Sequence, residues 1–247
     1  MPLINVDAKS LEWNACVHLA RDEQGKQEIE QNIDQHSVNQ LFLKLPEGKK
    51  GRLVAKKFVF KLIYGAVADS FANDIEINHI SKSPDFWESK INSFYSKYYG
   101  IERFHRNLVE TFLTTHKIVM PTGRIYTFSN EEIQPSNRAY IRPKILNYPV
   151  QGFGNDIMTL VRVAIYRRLK TLRCEAKLIS TIHDSIIIDS PQDDIEVVLN
   201  VIEKAWENLP TNYEWLTNKK DSLFVPFKYE ITIGDNLKEL KPYVNQN

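Results

Sequence analysis

The sequence predicts an α+β fold, on three observations. β-rich runs lie near both ends of the chain: LINV at residues 3–6, KLISTI and SIIIDS within residues 177–190, and a third stretch at 225–233. Helical apolar spacing fills the middle. The composition, 43% hydrophobic and 26% charged over 247 residues, is that of an ordinary globular protein with room for a sizeable core.

In chain order, residues 3–6 read as a short strand ending at Asp7, and a helical pattern follows over about 10–22. Residues 23–50 read as short helices and turns. A helix containing Arg52 comes next, with Gly65 as its C-terminal stop. Pro84, Asp85 and the spacing of Phe86, Ile91, Phe94 and Tyr98 begin another helix, and residues 101–117 form one more. MPTGRIYTF has turn chemistry at Pro121–Gly123 between strand-like flanks. A strongly amphipathic helix is expected over 155–172. The 177–189 segment reads as a hairpin with His183 and Asp184 at its bend, although no glycine marks the turn. A helix over 193–209 and the 225–233 strand complete the pattern.

The bulk numbers exclude several classes. A formal net charge of +1 gives no global field for nucleic acid. The charge is unevenly placed, however: residues 49–61 hold six basic residues and no acid. Cys16 and Cys174 have no metal-ligand spacing and suit a reducing compartment. No stretch approaches transmembrane length, so no membrane partner is expected.

The most informative segment is GRLVAKKFVFKLIYG, residues 51–65. Arg52, Lys56, Phe60 and Tyr64 recur every fourth residue. Each step of four on an α-helix overshoots a turn by about 40°, so the four share one face. Two cations followed by two rings suit a nucleoside triphosphate lying along the helix. Taken alone, the same spacing is better read as a solvated face with core aromatics, and it is the other residues of the chain that change that reading.

Asp7 and Asp184 each end a strand-like run. Two such acids brought together make a hard oxygen site suited to Mg²⁺, whereas either alone is an ordinary turn or cap residue.

These residues together resemble family A DNA polymerases, the bacterial polymerase I type. Arg52, Lys56, Phe60, Tyr64 and Gly65 match the fingers-helix pattern R-x3-K-x3-F-x3-Y-G. Asp7 and Glu12 match D-x4-E, and His183-Asp184 matches H-D at a hairpin bend. Asn147, Pro149, Gln151 and Gly152, in NYPVQG, are similar to the segment that tracks the primer-template minor groove, in a wording closer to phage enzymes. Asp34 and His36 resemble a D-x-H preceding the fingers helix, and Gly123-Arg124 a G-R turn. The resemblance runs from about residue 6 to 237. Several motifs in order are far more specific than one.

The resemblance implies a polymerase palm with an antiparallel sheet and mostly helical fingers, lacking thumb and exonuclease. The palm would take residues 1–22 and 141–247, and the fingers 23–140. It implies template-directed DNA synthesis on primer-template DNA from dNTPs. Two Mg²⁺ ions, for which Mn²⁺ can substitute, would be held by Asp7, Asp184 and the Ala8 carbonyl. Arg52, Lys56 and His36 would grip the triphosphate, with Lys56 also catalytic. Phe60 would stack by the sugar and base, and Tyr64 would sit at the template position. Glu12 would exclude the ribose 2′-OH. Asn147, Gln151, His183 and Gly65 would face DNA, and Asn147 and Gln151 would donate to minor-groove acceptors that every base pair offers. The expected location is a bacterial or phage-infected cytoplasm.

Two departures matter. The third palm motif usually reads H-D-E, but Ser185 stands here in the third place. Single-subunit RNA polymerases share H-D-S, which makes a fragment of one an alternative; Glu12 and Phe60 favour DNA synthesis. A catalytically silent nucleic-acid-binding remnant is the third reading. Only six residues precede Asp7, which leads to the expectation of a split polymerase whose N-terminal partner carries the thumb and an exonuclease.

Overall fold

A computed structural model describes residues 1–129, 138–220 and 222–243. The chain forms two compact units. One comprises Met1–Glu12 and Gly152–Asn247, the other Trp13–Gln151. Their limits differ from the sequence divisions at 22/23 and 140/141, and residues 130–137 of the expected fingers span lie outside the described residues.

The first unit is built on a five-stranded antiparallel sheet. Its strands are β1 (Leu3–Lys9), β4 (Lys177–Ile182), β5 (Ser185–Asp189), β6 (Lys228–Gly234) and β7 (Lys241–Pro242), in the order β4-β5-β1-β6-β7. The alternation of β1 is the period-2 pattern of a half-buried strand: Ile4, Val6 and Ala8 are buried, while Leu3, Asn5 and Asp7 face the more open side. Ile186, Ile187 and Ile188 of β5 are all buried. A 3₁₀ turn at Gln192–Asp194 leads into α9 (Ile195–Glu207), whose Val198, Val201, Ile202 and Ala205 are buried, and α10 (Leu209–Thr217) follows.

The second unit is helical. It holds α1 (Leu11–Ala20) from Trp13 onward, α2 (Glu23–Glu30), α3 (Gln35–Phe42), α4 (Gly48–Ile63), α5 (Ala68–Ala72), α6 (Pro84–Lys97) and α7 (Tyr99–Thr115). A two-stranded ribbon, β2 (Lys117–Val119) with β3 (Ile125–Thr127), turns at Gly123, whose φ is 88°. Its core is aromatic. Phe58 of α4 packs 4.9 Å from Phe71 and 6.0 Å from Trp87, and Phe94 lies 4.7 Å from Tyr98, centroid to centroid. Burying this much ring area contributes about 1.5–3 kcal/mol per side chain. A buried ion pair joins α2 to α6: Glu28 meets Lys97 at 2.9 Å and accepts a 2.8 Å hydrogen bond from the Tyr98 hydroxyl.

One element departs from expectation. Helix α8 runs Arg138–Thr171, beginning well before residue 155 and continuing through Pro143 and Pro149. A proline inside a helix removes a backbone donor and argues for a stop. Here the prolines sit among the buried Ile141, Ile145, Leu146, Val150 and Phe153. Apolar burial at helical spacing overrides the local preference.

Candidate active site

The sheet unit brings Asp7 and Asp184 together by register. β1 pairs antiparallel with β5 so that Asp7 stands opposite Ser185. Asp184, one residue earlier, closes the β4–β5 bend, and its carbonyl accepts a 3.1 Å hydrogen bond from the Ala8 amide. The Asp7 side chain is therefore across the ladder from the bend that carries the second acid. His183 occupies the left-handed region at φ 54°, a conformation that costs most L-residues about 1–2 kcal/mol. It makes the two-residue turn where a glycine would be expected, and its side chain is exposed.

The Ser185 hydroxyl donates to an Asp7 carboxylate oxygen at 2.5 Å. Burial raises the Asp7 carboxyl above its ordinary range; Ser185 opposes this, and the charges of Asp184 and Glu230 add to it. Glu230 is the β6 partner of Asp7 and pairs with Lys9 at 3.4 Å. Neither Ser185 nor Glu230 was singled out as a site residue. Ser185 looked only like a missing acid, and Glu230 carried no signal beyond its place in an alternating strand. Glu12 lies half-buried in the first turn of α1, where the helix dipole favours an acid.

Among the described residues no three His, Cys, Asp or Glu side chains are grouped to hold a metal ion. Two carboxylates, one of them strained by burial and by its neighbours' charge, are a donor set that fits Mg²⁺. That ion takes one or two protein carboxylates and completes its shell with water and phosphate oxygens.

The helical unit holds the second group. Helix α4 buries Val54, Ala55, Phe58, Val59, Leu62 and Ile63, which turns Arg52, Lys56 and Phe60 outward. Arg52 is not idle. Its Nε donates to Asp34 Oδ2 at 2.7 Å and lies 3.2 Å from the Ser37 hydroxyl. Asp34 caps α3 by accepting from the His36 amide at 3.2 Å, and the Arg52 hydrogen bond holds its carboxyl far below the usual range. Lys56 Nζ lies 5.8 Å from the Phe60 ring centroid, and the His36 ring is 5.8 Å from the same ring. Arg52, Lys56, Phe60 and His36 thus form one cluster. Burial lowers His36 to about 4, so its ring is neutral at pH 7, and its buried Nδ1 has no hydrogen-bond partner.

Tyr64 caps α4, and Gly65 follows with φ 89°. A Cβ at Gly65 would come within 2.9 Å of Leu146 Cδ1, so both dihedral and space demand glycine. The Gly65 carbonyl accepts a 2.6 Å hydrogen bond from Arg142 of α8, a contact with no sequence signal. Asn147 and Gln151 lie four apart on α8 and so share a face. The Asn147 Oδ1 is buried without a hydrogen-bond partner. The two groups, one around Asp7 and one along α4, belong to different compact units.

The family model for DNA polymerase family A matches residues 1–239. This chain belongs to DNA polymerase family A. A DNA polymerase I of Caldicellulosiruptor bescii is 26% identical over 97% of this chain and 27% of its own length. A Bacillus phage SP01 DNA polymerase is 24% identical over 76% of the chain and 20% of its own. The family A fold is also seen in a solved structure, the POL domain of Pol1 from M. smegmatis in complex with DNA primer-template and dNTP. It superposes with a TM-score of 0.81 over 96% of this chain and 40% of that one, at 17% identity. The chain thus spans about a quarter of the length of the curated family A relatives it matches. Among the described residues no helix is long and apolar enough to cross a membrane.

Proposed function

We propose that this chain is the palm and fingers part of a template-directed DNA polymerase, transferring nucleotides from dNTPs to a primer 3′-OH. The observation that carries the reading is the β1–β5 register, which sets Asp7 opposite the residue following Asp184. Asp7, Asp184 and the Ala8 carbonyl would hold two Mg²⁺ ions, or Mn²⁺ in their place. Such ions activate the attacking hydroxyl and stabilise charge on the leaving pyrophosphate.

The chain's own residues position the reactants. Arg52, Lys56 and His36 would contact the triphosphate, with Arg52 exchanging Asp34 for phosphate oxygens. The ring of Phe60 would bound the sugar, and Tyr64 with Gly65 would end the helix at the template base. Glu12 would select against the ribose 2′-OH. Asn147 and Gln151 would test base-pair geometry in the minor groove, with His183 supporting the bend beside the primer terminus. An N-terminal polymerase polypeptide carrying thumb and exonuclease is the proposed partner.

Primer extension with Mg²⁺ tests this, run on the chain alone and mixed with an upstream family A fragment. Extension should fall on the order of 10³-fold in Asp184→Asn while the folded state persists by circular dichroism. Extension by the Asn variant at the wild-type rate would sink the assignment.

A further inference from the structure

The last carbonyls of α4 draw donors from three other helices. An α-helix leaves its final four C=O groups without intrahelical donors. At α4 two of them close a Schellman turn, with the Ala66 amide donating to Lys61 and the Gly65 amide to Leu62, each at 2.9 Å. The carbonyls beyond Leu62 must find donors outside the helix. Side chains from α6, α7 and α8 meet there, all within the helical unit.

Arg142 of α8 is the first. Its Nη1 donates to the Gly65 carbonyl at 2.6 Å and stands 3.2 Å from where a Gly65 Cβ would be. A cation at a helix C-terminus also offsets the negative end of the dipole. The same guanidinium hydrogen-bonds the Tyr95 hydroxyl of α6; burial raises that phenol to about 12, and Arg142 opposes the rise. Tyr95 Oη lies 2.9 Å from His105 Nδ1 of α7, with the two rings edge to face at 89°. His105 is neutral at pH 7, because burial lowers it to about 3 and the Arg142 charge adds to the effect. Its Nε2 is buried with no hydrogen bond of ordinary length and angle, yet the Ile63 carbonyl of α4 is close enough to favour a proton on the ring. A carbonyl accepts only from an N–H, which puts the His105 proton on Nε2 and makes Nδ1 the acceptor of the Tyr95 hydroxyl. The relay therefore runs from Arg142 through Tyr95 to His105, and both of its ends rest on α4 carbonyls.

Those two carbonyls, of Ile63 and Gly65, flank Tyr64, the last residue of the face that carries Arg52, Lys56 and Phe60. Gly65 is the joint at which the chain leaves the helix, and glycine by itself resists rotation least. The outside donors supply the resistance. We infer that Arg142 is a positioning residue for the nucleotide face of α4: through the Gly65 carbonyl, with Tyr95 and His105 behind it, it holds the helix end so that Phe60 and Tyr64 stand where a bound dNTP needs them. That the ligand is a dNTP rests on the polymerase reading; the clamp on the helix end does not.

Hydrogen exchange and steady-state primer extension test the two parts separately. Both use the full chain, mixed for extension with the upstream family A fragment. Arg142→Met keeps the alkyl stem and removes every donor. Protection of the Gly65 and Ala66 amides should fall about tenfold while β1 and β5 stay as in wild type. KM for dNTP should rise about tenfold, with kcat changed less than about twofold. Arg142→Lys still offers a charged donor and should recover most of both losses. Tyr95→Phe should move both in the same direction by less, and it carries the comparison should Arg142→Met fail to fold by thermal unfolding. Unchanged protection of the two amides would overturn the clamp. Lower protection with an unaltered KM, or a loss in kcat alone, would overturn the role in nucleotide placement. No extension by the wild-type mixture, with amide protection still lost in Arg142→Met, would remove the polymerase reading and the nucleotide role together and leave the clamp standing.

Discussion

The strand pair that carries Asp7 and the helix that carries Arg52 solve the same problem in different ways. On β1 and β5 the backbone ladder sets where the acids stand, and one side-chain bond, from Ser185, adjusts Asp7. On α4 the helix fixes only a direction. What Arg52 does is decided by Asp34, eighteen residues earlier on another helix. Strand register delivers chemistry by main-chain geometry, whereas a helix face needs side-chain partners to give each charge a job.

Acid should expose the contrast most strongly. Burial lowers His18 and His105 to about 3 and His36 to about 4, from an ordinary 6.5. All three belong to the helical unit, and the sheet unit's one histidine, His183, is exposed. Below pH 6.5 the unfolded chain takes up protons that the native rings refuse, so stability is full above that pH and falls as pH drops toward 3–4. For His105 alone the loss by pH 3 is on the order of 4 kcal/mol. The Asp22 carboxyl, raised by burial, works in the opposite direction, but three imidazoles set the net sign. Hydrogen exchange at pH 7 and pH 5 should show protection falling in α1, α3 and α7 before β1 and β5; simultaneous loss would erase the distinction.

Phe58→Ala comes next. It hollows the ring cluster beneath α4 and should cost about 3–5 kcal/mol in urea unfolding. If the Asp7 register is set by backbone pairing alone, amide protection in β1 should outlast that in α4.

Ser185→Ala should have a smaller effect. Removing a hydrogen bond to a part-exposed carboxylate should cost about 1 kcal/mol in denaturant unfolding, with the ladder intact by exchange of the Ala8 amide. A larger loss would mean the side chain, not the ladder, holds β1.

Asp34→Asn is the smallest. Asparagine still caps α3, so the change isolates an ion pair about 45% exposed on the Arg52 side. Thermal unfolding should shift by less than about 1 kcal/mol at low salt and by nothing measurable at high salt.

The legible parts share a cause. Strands β1, β4 and β5 and helix α4 are set by local periodicity, which a single chain displays. The two-residue bend at His183 was visible from the switch between β-rich runs, even without glycine. The start of α8 was not, because Pro143 and Pro149 carry a local stop signal that only tertiary burial cancels. The Arg52–Asp34 pair and the Arg142 hydrogen bond to Gly65 join residues distant in sequence, and neither residue type nor spacing points to the other partner. Ser185 was read by what it lacks, since its role depends on standing directly across from Asp7.

The ladder makes this centre sensitive to parity. Alternate residues of β1 point to opposite sides, so deleting one residue ahead of Asp7 in the strand would put Ala8 where the carboxylate belongs and send the acid into the apolar layer with Ile4. Deleting two would restore the sidedness at the expense of strand length. Surface loops of the same chain can drift in length by any count, but here the change must be even.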